Sequence, residues 1–170
     1  MNTQTNLSPV FLNSILNSIA DPVFVKDDQF KFVYVNDALC EILGMDRKDI
    51  IGKTLGESLP KDQMEHFLKV DKGVLDTGKE NISEEELTGK GGKILLITTK
   101  KTRYTDENGK RFVVGIIRDE TVRKQAELDL REKMDQLQKM NELMVGRELM
   151  MTQLKEENSA LKNNMTKDGV

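Results

Sequence analysis

FVVGIIRDETVRKQAELDL, residues 112–130, changes character halfway along. Residues 112–117 form an apolar run rich in β-branched side chains. The run comes after Asn108-Gly109, a dipeptide whose tolerance of positive φ suits a hairpin turn. Arg118-Asp119-Glu120-Thr121 then leads into a charged helical pattern with no Gly or Pro before Gly146. A core strand is thus joined almost directly to a long helix, and such a joint can carry strain from a folded domain into a rod.

The length, 170 residues, suits one ordinary domain plus an extension. A net charge of −3 with 32% charged residues forces no basic face, so nucleic acid is not an expected partner. Cys40 is the single cysteine, which rules out an internal disulfide, and nothing calls for an oxidising compartment. Residues 1–11, MNTQTNLSPVF, lack the basic and apolar regions of a secretory signal. No run approaches the ~20 apolar residues of a membrane span. A cytoplasmic location is expected.

Upstream of the joint, Ser8-Pro9 reads as an N-cap and first helical residue, and Leu12, Ile15, Leu16 and Ile19 make one apolar stripe. That stripe needs a cover, either the domain itself or a second copy. Asp21-Pro22 ends the helix. Residues 22–26 (PVFVK) and 30–35 (FKFVYV) read as a hairpin, with Phe30, Phe32 and Tyr34 on one face and Lys31, Val33 and Val35 on the other. Asn36 caps a short helix bearing Leu39, Ile42 and Leu43 and stopped by Gly44, and Asp46 caps a further turn ended by Gly52. Residues 62–77 form a longer helix with Met64, Phe67, Leu68 and Leu75 on one face, Asp71 within that stripe, and Gly78 as the stop. Asp71 reads either as a polar group aimed at a ligand or as an edge position bonded to nearby backbone. Residues 80–87, 93–104 and 111–118 are the remaining strands, the first a weak one because its charge opposes strand propensity. Five strands with the helices bunched between the second and third give an α+β domain with a mostly antiparallel sheet.

The order of elements and four short motifs resemble the PAS sensor domain. Phe32-Val33-Tyr34-Val35-Asn36-Asp37-Ala38 resembles its second-strand YVN-x-A segment, and Ile50-Ile51-Gly52-Lys53 its I-I-G-K turn. Phe67 to Asp71, with Val74-Leu75 and Thr77-Gly78-Lys79, resembles its F-x-x-x-D-x-x-V-L-x-T-G-K helix end. Residues 115–121 resemble its G-I-x-R-D-I-T strand end, with Glu120 where an aliphatic residue is usual. The resemblance covers roughly residues 8–130. It implies a PAS fold with short helices on one face of the sheet, and a sensory or dimerising module similar to the sensor part of two-component histidine kinases. It does not imply a reaction. The expected organisation is an N-terminal cap helix over residues 1–20, the PAS domain over 21–121, a coiled-coil helix over 122–165 and a disordered tail over 166–170.

A seven-residue period runs through the last helix. Leu130, Leu137, Met144, Met151, Asn158 and Met165 fall at one heptad position, and Lys133, Met140, Arg147, Leu154 and Leu161 at the other. Asn158 at a core position fixes register and favours two strands. Residues 143–151 (LMVGRELMM) are apolar on too many sides for a plain two-stranded seam. They read as a hinge or docking patch, or equally as a wider bundle contact or local fray. An exposed helix of this length with such a seam is unstable alone, so a parallel homodimer is expected, aided by the N-terminal helix. The charges of residues 124–142 mix signs and supply no basic stripe for phosphates, which sets aside a zipper-type DNA binder.

Candidate pocket residues are Phe24, Phe32, Tyr34, Leu39, Ile42, Leu43, Phe67, Leu68, Asp71 and Leu75; the apolar ones could line a cavity or fill it, and large apolar residues at such spacings are more often core. Asp119 and Thr121 are the candidate signal relay. His66 is the sole histidine; in haem-binding PAS domains a histidine on this helix holds the iron, but His66 lies about one residue off that register and reads as a surface residue. Cys40 lies outside the segment that carries the cysteine of flavin-photoreactive relatives and reads as apolar packing. One His and one Cys make no zinc site. Neither cofactor nor metal is expected, with haem or flavin the alternative. Residues 122–165 contain no histidine for phosphotransfer, and no nucleotide box comes after them. The expected function is therefore a non-catalytic relay that answers a small ligand or partner and acts on a downstream signalling protein. A purely structural dimeriser is the remaining alternative.

Overall fold

The computed structural model describes residues 8–54 and 58–165. They belong to two compact units that divide between Val122 and Arg123. In the first unit, helix α1 (Pro9–Ser18) starts as its sequence dictates: Ser8 is extended, and its hydroxyl accepts a hydrogen bond from Phe11 N at 3.2 Å. None of its residues is buried, and Leu12 and Ile15 of the stripe are 45% and 43% exposed.

The sheet consists of β1 (Val23–Lys26), β2 (Phe32–Val35), β3 (Asn81–Thr88), β4 (Ile94–Thr105) and β5 (Arg111–Asp119), ordered β2-β1-β5-β4-β3. Every neighbouring pair is antiparallel, which sharpens the expectation of a mostly antiparallel sheet. The last strand lies at the centre, between the first and fourth. Between β2 and β3 the chain forms α2 (Asp37–Leu43), α3 (Arg47–Ile50) and α4 (Lys61–Thr77). Gly44 and Gly78 take φ of 67° and 72°, and the left-handed turns end α2 and α4. Asp46 precedes α3 as expected but makes no cap bond; its carboxylate sits 3.2 Å from Lys48 Nζ instead. This single turn is held by Ile50, which is fully buried.

The charged segment 81–88 is a full strand because alternation rescues it. Glu84 and Glu86 are exposed, Glu85 and Leu87 are buried, and all eight residues pair with β4.

β2 departs from the expected alternation. Phe32 pairs with Lys26, Tyr34 with Val25 and Val35 with Phe24, so Val33 is an unpaired bulge. A bulge inserts one residue and flips the phase of the strand beyond it. Phe32 and Val35 therefore share the core face, while Tyr34 turns to the other and its hydroxyl meets Asn13 Oδ1 of α1 at 3.2 Å.

The main core cluster joins Phe24, Phe32, Val35, Leu39, Ile50, Leu87, Leu95, Ile97 and Ile117, and a smaller one joins Val74, Leu75 and Val113. Phe30 packs on the second cluster from a left-handed φ of 62°, in a turn where Asp27 Oδ1 accepts from both Gln29 N and Lys31 N. Gly115 of β5 stands where Phe24 of β1 crosses it; any Cβ there would collide with the Phe24 ring.

Candidate functional site

Between the sheet and the helices α2 and α4 lies a small cavity of about 50 Å³. Its apolar wall includes Phe24 from β1, Phe32 from β2, Leu39 and Leu43 from α2, Met64 and Phe67 from α4, and Ile97 and Ile117 from β4 and β5. Besides Thr54, its polar wall is Lys26, Glu85, Thr99 and Lys101. These four are buried because strand alternation forces them inward: Lys101 and Thr99 are in phase with Ile97 and Leu95, and Glu85 with Leu87.

Behind the lysines stands Asp71 of α4, wholly buried. Its Oδ2 accepts from Lys26 Nζ at 2.7 Å, and its Oδ1 lies 2.9 Å from Lys101 Nζ. Asp71 is thus neither aimed at a ligand nor bonded to backbone; it is the shared counter-ion of two buried ammonium groups. Burial pulls the Lys26 pKa below the ordinary 10.5, and the attraction of Asp71 only partly opposes this. The ammoniums also face rings: Lys26 Nζ is 4.7 Å from the Phe32 centroid, and Lys101 Nζ is 5.3 Å from that of Phe67.

Glu85 closes the other side. Its Oε1 accepts from Ser83 Oγ at 2.8 Å and lies 3.2 Å from His66 Nε2. Among the described residues, Glu85 Oε2 and Thr99 Oγ1 have no hydrogen-bond partner although both are buried. The two lysines, Asp71 and Glu85 carry formal charges that sum to zero.

The structure thus brings Phe24, Phe32, Leu39, Leu43 and Phe67 together around the cavity. Of the other candidates, Ile42 packs on the main core, Leu75 belongs to the second cluster and Leu68 is half-buried, none of them on the cavity wall. Tyr34 is on the opposite face because of the Val33 bulge. His66 presents an exposed ring and Cys40 is half-buried against the core. Lys26, Glu85, Thr99 and Lys101 were missed by sequence reasoning. The signal was available in β4, where Leu95, Ile97, Thr99 and Lys101 alternate with outward residues, but a strand-interior lysine is ordinarily solvated.

The joint is built on β4. Glu120 N donates to Leu96 O at 2.8 Å, and Leu96 N donates to Thr121 Oγ1 at 2.9 Å, so one residue of β4 grips two at the helix start. Asp119 Oδ1 accepts from Thr121 N at 2.9 Å, an Asx turn that leads into the helix. Glu120, the unusual residue of the motif, takes part through its backbone.

Asn36 welds three elements. Its Oδ1 accepts from Val23 N and Leu39 N, and its Nδ2 donates to the carbonyls of Leu16, Ile19 and Asp21.

The second unit is the continuation of α5 (Thr121–Met165), an unbroken helix that passes through Gly146. Leu130, Leu137, Met144, Met151 and Leu154 are all exposed, as is Asn158. The Leu161 side chain and the expected tail 166–170 lie outside the described residues. No helix among the described residues is long and apolar enough to cross a membrane.

Comparison with known proteins gives the same architecture. The uncharacterized protein y4lL of Sinorhizobium fredii is 35% identical over 125 residues, 72% of this chain. The chain spans only 15% of that relative's length. A PAS domain from a two-component sensor histidine kinase superposes with a TM-score of 0.54 at 22% identity, covering 65% of this chain and 94% of the other. VqmA of Vibrio cholerae, in a complex with ligand and DNA, superposes with a TM-score of 0.60 at 25% identity, covering 67% of this chain and 52% of the other. The family described as PAS fold matches residues 16–125, which hold the sheet, the cavity and the clamped helix start, and this chain belongs to that family.

Proposed function

We propose that the chain is a non-catalytic sensory module of the cytoplasm. Residues 21–121 receive a small ligand or a partner, and residues 122–165 pair with a second copy as a parallel coiled coil that a downstream signalling protein reads. The observation that carries this reading is the double duty of β4. Its inward residues Ile97, Thr99 and Lys101 face the cavity, while Leu96 holds Glu120 and Thr121 at the start of α5. A ligand that displaces β4 therefore acts on the helix start through two hydrogen bonds. The heptad positions of α5, exposed in the single chain, motivate the dimer. The likeness to VqmA, solved with a ligand and DNA, supports a ligand as the input; the mixed charges of α5 give no reason to extend the likeness to DNA.

Light scattering on the full chain at micromolar concentration tests the assembly. A mass of two chains is expected, with truncation after Asn141 shifting the population toward monomer. A monomeric full-length chain sinks the proposal.

A further inference from the structure

The cavity's polar wall specifies a ligand class, an inference that rests on the proposed sensory role. Glu85 has a side chain 2% exposed, and its Oε2 lacks a donor among the described residues. Thr99, 2% exposed, has a hydroxyl equally without a partner. Buried polar atoms are ordinarily hydrogen-bonded, and two on one cavity wall are a template for what belongs there. A carboxylate only accepts, so whatever meets Oε2 must donate.

The charge balance fixes the rest. Lys26 and Lys101 already share Asp71, and with Glu85 the formal charges around the cavity cancel. An added anion would face Glu85, and an added cation would face two ammoniums; each leaves a net charge in a low-dielectric interior, which is costly. We infer that the cavity takes a small uncharged compound that donates an N–H or O–H to Glu85 Oε2, hydrogen-bonds Thr99 Oγ1, and lays an apolar body among Phe24, Phe32 and Phe67. A cavity of 50 Å³ is equivalent to roughly four water sites, about the room of one ring.

Four near-isosteric probes separate the possibilities: benzamide (uncharged donor), acetophenone (uncharged, no donor), benzoate (anion) and benzamidinium (cation). Each is titrated into the isotope-labelled full chain, with amide shifts of Glu85 and Thr99 reporting the site. Benzamide is expected to bind about tenfold more tightly than each of the others, the worth of one buried hydrogen bond. Glu85→Gln is expected to shrink its lead over acetophenone to within about threefold, and Thr99→Val, which removes a hydroxyl that would meet the carbonyl both probes share, to weaken both about fivefold. Thr99→Val keeps the shape of the native residue and carries the test should Glu85→Gln fail to fold. Acetophenone, benzoate or benzamidinium binding as well as benzamide overturns the inference and leaves the sensory reading standing. Perturbation of neither amide by any probe up to solubility also overturns the inference, and the sensory reading then stands or falls by the light-scattering test.

Discussion

Replacing Asp71 by Asn removes the carboxylate that two buried ammonium groups share. Lys26 and Lys101 are 4% and 2% exposed, and Asp71 lies 2.7 and 2.9 Å from their nitrogens. Breaking a buried pair by deleting one partner costs about 3–5 kcal/mol, because the survivor is left charged and desolvated. Here two cations survive, and they repel each other. Against a total stability of about 5–15 kcal/mol the loss is large. Urea unfolding monitored by tyrosine fluorescence reads it: Tyr34 and Tyr104 lie in the sheet, and the chain has no Trp.

The pH dependence carries a second signature. The Lys26 pKa is lower in the folded chain than the 10.5 of the unfolded one. Between those two values the unfolded chain binds more protons at this site, so stability rises with pH. Asp71→Asn removes the attraction that opposes the lowering, so the folded value drops further and the window widens downward. The stability of the variant is therefore expected to begin its rise at a lower pH than that of the parent and to keep rising over a wider span. Replacing Lys26, Asp71 and Lys101 together by apolar residues of similar size should cost far less than Asp71→Asn alone. An Asp71→Asn variant within about 1 kcal/mol of the parent, or one whose rise begins at no lower pH, refutes the reasoning.

Gly115→Ala should displace the Phe24 ring, costing about 1–3 kcal/mol in urea unfolding and abolishing probe binding in the cavity. Asn36→Ala leaves two backbone N–H groups and three carbonyls without their partner and should cost about 3 kcal/mol in the same assay. Thr121→Val keeps the shape but removes the acceptor of Leu96 N. Hydrogen exchange at the Leu96 amide should quicken about fivefold, the equivalent of about 1 kcal/mol, with the α5 amides beyond Asn141 unchanged.

The order of elements was legible because its signals are local. Ser8 and Asn36 cap their helices with their own side chains, Gly44 and Gly78 stop theirs in left-handed turns, and β4 and β5 alternate. The clamp on Thr121 was legible as a short strand-to-helix joint, without its partner Leu96. Five of the fifteen residues that line the cavity were legible too, since a large apolar residue on a helix stripe or strand face points inward whatever its neighbours.

What sequence alone left open depends on partners distant along the chain. The side to which Tyr34 points is set by a bulge in the register of β2 against β1, and register is a property of two strands. The fate of Lys26 is decided by Asp71, 45 residues away, and a lysine in a strand reads as solvated until that carboxylate is brought beside it. The same holds for Glu85 and Thr99: alternation turns them inward, but only the helices closing over the sheet make their unpaired oxygens the wall of a cavity. Local geometry fixed which residues face in; packing between segments gave the buried charges their counter-ions and left two oxygens facing the cavity.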